Sequence, residues 1–143
     1  MKWQQGDYLI STDKSRLDVN VIHDYLSRES YWANGRSLDI VRKTIEHSLC
    51  FGVYKEQKQV GFARVVTDFT TFAWLCDVFI LAEHRRLGLG KWLVECATSY
   101  GAVQNLKLWL LATKDAHDLY RRSGGFDGIE QPERWMIREK VDE

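Results

Sequence analysis

Arg85-Arg86-Leu87-Gly88-Leu89-Gly90-Lys91 joins two segments of different character. Before it runs the almost unbroken apolar stretch Phe72 to Leu81. After it, Leu89, Trp92, Leu93, Cys96, Ala97 and Tyr100 recur at the i, i+3, i+4, i+7 spacing of an amphipathic helix. A strand, a basic glycine-spaced turn and a helix together make an anion site. The first helical turn offers N–H groups with no intrahelical acceptor, the helix dipole adds positive potential, and glycine lets backbone approach a ligand closely. The expected guest is a phosphate or pyrophosphate.

Working outward, Tyr8 to Ser11 reads as a first strand. Ser15 is a candidate cap for a helix with Val19, Ile22, Tyr25 and Leu26 on one face. Arg28 to Arg36, broken by Asn34-Gly35, reads as a loop, and Ser37 as the cap of a second helix with Leu38, Val41 and Ile45 inward. Leu49–Lys55 and Val60–Thr67 are strands separated by the polar turn Glu56 to Gln59, and Asp68 opens another turn. Phe72 to Leu81 suits a central strand covered on both faces. Leu106 to Ala112 is a further strand, Ala116 to Arg122 a short helix stopped by Gly124-Gly125, and Trp135 to Arg138 a last strand after the only proline, Pro132. The order β-α-α-β-β-β-α-β-α-β predicts a mixed α/β sheet, an antiparallel meander followed by a right-handed crossover, in one domain over residues 1–143.

The 20 Lys plus Arg balance the 20 Asp plus Glu, which argues against nonspecific nucleic-acid or membrane binding through a global field. Aromatic residues make up 13% of the chain, so it is globular rather than disordered. Cys50, Cys76 and Cys96 form no Cys-x-x-Cys pair and read as packed free thiols of a reducing compartment. No apolar run is long enough to span a bilayer, and the N-terminus lacks an apolar signal core, so a cytoplasmic location is expected. His23, His47, His84 and His117 have no partner at ligand spacing, and no metal site is expected.

The glycine turn discriminates among phosphate motifs. A Walker A loop needs glycine five residues before Gly90, where Arg85 stands, and Ser or Thr after Lys91, where Trp92 stands. A dinucleotide fingerprint needs glycine at Leu93. Arg/Gln-x-x-Gly-x-Gly/Ala does fit, filled by Arg85, Gly88 and Gly90. This resembles the acetyl-CoA-binding signature of the GNAT superfamily of N-acetyltransferases. Leu75 to Leu81 resembles that family's central strand, Leu108 to Thr113 its next strand, and Ala116-His117-Asp118-Leu119-Tyr120 its Leu-Tyr helix. Two departures stand out: Ser123-Gly124-Gly125-Phe126 carries one residue more than the family's usual spacing, and Thr113 replaces a frequent asparagine.

The resemblance implies a three-layer fold whose mostly antiparallel, twisted central sheet contains a splayed parallel pair of strands and carries flanking helices. It implies transfer of an acetyl group from acetyl-CoA to a primary amine, of a small molecule or an exposed protein site, by direct attack on the thioester. Val78, Phe79 and Ile80 would lie along the pantetheine arm, with the Val78 N–H polarising the thioester carbonyl. Arg85, Arg86, Leu87, Gly88, Leu89, Gly90 and Lys91 would surround the pyrophosphate. Tyr120 is the candidate acid for the departing thiolate, since an unperturbed phenol with a pKa of ~10 is protonated at neutral pH. Asp77, the one charge in an apolar strand, is a candidate base, with an exposed strand-end role and a water chain as alternatives. Glu29, Tyr31 and Trp32 would contact the acceptor, or else pack their loop onto the sheet. A homodimer is common in the family. The competing functions are a noncatalytic acyl-CoA sensor and an interaction module with a vestigial cleft.

Overall fold

The computed structural model describes residues 1–140. Six strands form one sheet in chain order: β1 (Lys2–Gln5), β2 (Tyr8–Ser11), β3 (Leu49–Lys55), β4 (Lys58–Thr67), β5 (Phe72–Ile80) and β6 (Leu108–Leu110). The first five pair antiparallel; β5 and β6 pair parallel. Parallel neighbours need a crossover, and α3 (Leu89–Ser99) supplies it. β1 escapes sequence reading because Lys-Trp-Gln-Gln has no alternation; Trp3 alone packs inward, against Phe51 at 5.9 Å and Tyr100 at 5.8 Å.

α1 (Val19–Asp24) is capped by Asp18, which accepts from the amides of Asn20 and Val21 at 3.1 and 3.3 Å, not by Ser15. Ser15 is instead held in a 3-10 turn, Lys14–Arg16, where Asp13 accepts from its amide at 3.0 Å and its hydroxyl at 2.7 Å. An acidic cap nearer the apolar periodicity displaces the hydroxyl cap. α1 runs on into a π-helical turn, Tyr25–Glu29, which buries Tyr25 and Leu26. α2 (Leu38–Glu46) starts where the sequence predicts, with Ser37 accepting from the Ile40 amide at 3.2 Å.

The sheet separates two cores. Ile10, Phe51, Val53, Val65, Ala73 and Leu75 meet Leu89, Leu93, Cys96 and Ala97 of α3 on one face. Ile22, Leu26, Val41 and Ile45 of the first two helices meet Cys50, Phe62 and Phe79 on the other. β5 therefore serves both faces, as its apolar run predicts, but it changes parity on the way. Ala73 and Leu75 face α3, Phe79 faces α1 and α2, and Ile80 faces α3 again. A plain strand would keep 73, 75 and 79 on one side. The β4–β5 register steps from Phe62↔Phe79 to Arg64↔Cys76, which leaves β5 one residue longer there. Asp77 takes up the slack at φ +51, a left-handed conformation that aspartate tolerates better than most side chains.

β6 is shorter than the predicted Leu106 to Ala112. It pairs with β5 only at Phe72, Ala73 and Trp74, so the rest of β5 continues past it to Ile80. The expected strand Trp135 to Arg138 is a correction: Pro132–Arg134 is a 3-10 turn, and the residues after it join no ladder among the described residues. Met136 and Ile137 are 97% and 81% exposed. A β-prone tetrapeptide needs a partner edge to become a strand, and its natural neighbour here has three residues.

α4 (His117–Gly124) ends at Gly125, which sits at φ +70. The amides of Gly125 and Phe126 both turn back to the carbonyl of Tyr120. The extra residue in Ser123-Gly124-Gly125-Phe126 is thus absorbed at the helix stop, and the Phe126 ring still reaches Tyr120 at 6.0 Å. Gly125→Ala forces a β-carbon into this left-handed position and is expected to cost about 1 kcal/mol, read as a lower urea midpoint with an unchanged slope.

Candidate active site

One cleft of about 930 Å³ runs from the bulge in β5 to the glycine turn. Its floor is the part of β5 that has outrun β6, including Asp77, Val78, Phe79 and Ile80. Val78 and Asp77 have no register partner on β4, because the bulge falls there.

At the phosphate end the chain passes through a 3-10 turn, Ala82–His84, then Arg86 at φ +65 and Gly88 at φ +77, before α3 begins. Gly88 gives no side-chain cap, and the first amide to close a helical bond is that of Trp92, to the Gly88 carbonyl at 3.0 Å. The amides of Leu89, Gly90 and Lys91 thus open the helix without an intrahelical acceptor. Arg86, Gly88, Leu89, Gly90 and Lys91 line the cleft, whereas Leu87 does not and is 56% exposed. Arg85 also borders the cleft; it is exposed, but two of its guanidinium nitrogens are anchored on the protein. Its Nε donates to the Ile80 carbonyl at 2.9 Å and its Nη2 to the Tyr25 hydroxyl at 3.0 Å. Tyr25 stacks on Phe79 at 4.1 Å, so Arg85 ties the end of β5 to the π-helical turn.

At the other end, Asp77 is buried at 4% exposure. Its Oδ1 accepts from the Trp32 indole N–H at 2.8 Å. Its Oδ2 accepts from Arg36 Nη1 at 2.9 Å and Arg64 Nε at 2.8 Å. Arg64 also donates to the Ser48 hydroxyl at 3.1 Å. Neither arginine was among the expected site residues. Arg64 did leave a signal: it is the one charge between Val60 and Val66, opposite an adjacent strand whose one charge is Asp77. Arg36 left none beyond its place in a polar loop.

Glu29, Tyr31 and Trp32 line this end. Tyr31 and Trp32 meet edge to face at 5.1 Å, and the Tyr31 hydroxyl accepts from the Lys114 amide at 2.8 Å. The loop before α2 is thereby clasped to the loop after β6. Tyr120 projects from α4 into the same cleft. Burial pushes its phenol up to about 12, with Tyr31 and Cys76 adding to the shift. The Cys76 thiol is likewise pushed up to about 12 by burial, partly opposed by Arg64, so it stays a neutral thiol. No group of His, Cys, Asp and Glu among the described residues is arranged to hold a metal ion, and no helix among them is long and apolar enough to cross a membrane.

The pattern of the acetyltransferase (GNAT) family matches residues 19–126, and the chain belongs to that family. A candidate acetyltransferase of Gibberella zeae is 33% identical over 155 residues, covering 89% of this chain and 86% of that protein. The crystal structure of a candidate GNAT acetyltransferase from Xanthomonas campestris pv. campestris superposes with a TM-score of 0.91 at 42% identity, over 96% of both chains. The glucosamine-6-phosphate N-acetyltransferase of Arabidopsis thaliana shares the fold, with a TM-score of 0.64 over 94% of this chain and 99% of its own, at 12% identity. The class is therefore that of acetyltransferases, on a mixed six-stranded sheet with a splayed parallel pair.

Removing the Asp77 carboxylate leaves Arg36 and Arg64 facing each other with side chains only 21% and 12% exposed. Asp77→Ala is expected to lower stability by about 3 kcal/mol, measured by chemical denaturation. An Asp77→Ala protein as stable as wild type would show that the bulge needs no such anchor.

Proposed function

We propose that this chain is a single-domain N-acetyltransferase that moves the acetyl group of acetyl-CoA to a primary amine. One observation carries the proposal: the open edge of β5, the unpaired amides at the start of α3 and the Tyr120 phenol border one cleft. A pantetheine arm needs backbone partners along an extended edge, a pyrophosphate needs converging amides, and a departing thiolate needs a proton. The cleft offers all three.

Acetyl-CoA supplies the activated thioester. Val78 and Ile80 offer backbone to its arm, and the Val78 amide is the donor for the thioester oxygen. Phe79 turns its ring to the α1–α2 core and contributes backbone only. The amides from Gly88 to Lys91, with the side chains of Arg86 and Lys91, hold the diphosphate. Arg85 serves differently from the simple motif reading: it fixes the ends of β5 and the π-helical turn. Asp77, the candidate base, takes a positioning role instead, because three donors already occupy its carboxylate. It holds the bulge that turns Val78 into the cleft. Glu29, Tyr31 and Trp32 face the amine.

Thiol release from acetyl-CoA, measured across a panel of amines, tests the proposal. Coenzyme A binding without turnover of any amine would favour the sensor. Absence of coenzyme A binding would leave an interaction module. Tyr120→Phe is expected to lower kcat by about a hundredfold, with the dissociation constant for coenzyme A unchanged. The acid must be protonated to act, and its pKa is raised to about 12. The alkaline limb that its ionisation imposes on kcat is therefore displaced upward, and wild-type kcat should not fall between pH 8 and about 10. Arg86→Ala is expected to weaken coenzyme A binding about fivefold at low ionic strength, with the difference shrinking in high salt. Equal affinity at both salts would remove Arg86 from the diphosphate site.

A further inference from the structure

From the arginine pair beside the reacting end of the cleft we infer that the acceptor is an amine that also carries a carboxylate, and that Arg36 binds that carboxylate. The inference rests on the acetyl-transfer proposal and names the substrate class for the same cleft.

Two guanidiniums converge on one carboxylate oxygen, so the Arg36–Arg64–Asp77 group carries a net charge of +1 where the side chains are mostly buried. Three donors already occupy Asp77. The two arginines are not equivalent. Arg64 uses Nε on Asp77 and Nη1 on Ser48, and its side chain is 12% exposed. Arg36 uses Nη1 alone; among the described residues its Nε and Nη2 meet no acceptor, and it is the more exposed of the pair at 21%. Both line the cleft beside Asp77 and Val78. A guanidinium carries five N–H donors in a planar fork. Here most of that fork stays unused on a group that has already lost much of its water.

An oxyanion on the guest satisfies both deficits at once, by neutralising the excess charge and by filling the idle donors. One excess positive charge matches a monoanion, and a planar fork matches a planar carboxylate, so the carboxylate is preferred to a phosphate. The remaining charged groups around this end are Glu29, Asp115 and Lys114, all on the exposed rim. Solvent screens them more than it screens the arginine pair. The rings of Tyr31, Trp32 and Trp74 wall the space between and suit the carbon skeleton of an amino acid.

The test pairs turnover with binding. Thiol release is compared for a set of α-, β- and γ-amino acids, their carboxamides and phosphoethanolamine. Calorimetry in the presence of coenzyme A compares N-acetylated amino acids with their amides. Wild type is expected to favour carboxylates over carboxamides in kcat/KM by about ten- to a hundredfold. Arg36→Ala should erase that preference, read within the one variant as the ratio of kcat/KM for carboxylates over carboxamides, with the loss carried by KM for the carboxylates. Arg36→Lys, which keeps the charge and the anchor on Asp77 but not the fork, should retain part of it and guards against a simple folding defect. Carboxamides used as well as carboxylates would overturn the inference, and so would preference for phosphoethanolamine. Selective binding of the N-acetyl carboxylates without turnover of any amine would uphold the Arg36 site and remove the transferase proposal. Neither turnover nor selective binding would remove both.

Discussion

An aspartate in the middle of an apolar strand has to find cationic partners or leave the interior. Asp77 finds Arg64 on the neighbouring strand and Arg36 from the loop before α2, with the Trp32 indole completing the set. The bulge is the geometric side of the same contact. By inserting one residue and taking φ +51, the backbone turns the carboxylate toward the first two helices and hands Phe79 to their core. Loop, helix and strands are thereby fixed to one another at the point where β5 leaves β6 behind. The acceptor end of the cleft takes its position from that arrangement.

The two ends of the cleft treat charge differently. At the glycine turn, backbone amides and exposed cations meet solvent, so interactions there respond to salt. At the bulge, the charges sit within the protein, where pairing energies and desolvation costs are both larger. Tyr120 lies between these regimes, in surroundings apolar enough to keep its proton in place.

Much of this is legible in the sequence. β3 runs over the predicted Leu49 to Lys55 because an apolar run there ends at a polar turn, and α2 begins at Ser37 because a hydroxyl there has an amide three residues on to accept from. The periodicity from Leu89 to Tyr100 is as plain as such signals become, and the glycine turn before it identifies the family. What stayed hidden depends on distant partners. β1 is a strand only because β2 lies alongside it, and Trp135 to Arg138 joins no ladder among the described residues. The inward turn of Arg85 is set by the Ile80 carbonyl and the Tyr25 hydroxyl, and local sequence carries no trace of either contact. The bulge itself had a faint sign, a residue tolerant of left-handed backbone inside an apolar run.

Arg85 gives the molecule one mechanical property beyond its contacts. A single side chain rivets the end of the floor strand to the irregular helix beside the acceptor end, so a shift of one pulls on the other. If a guest at one mouth draws that rivet tighter, a guest at the other gains affinity by an equal factor, since free-energy coupling between sites is reciprocal. A lone guanidinium would then govern how strongly the two guests sense each other.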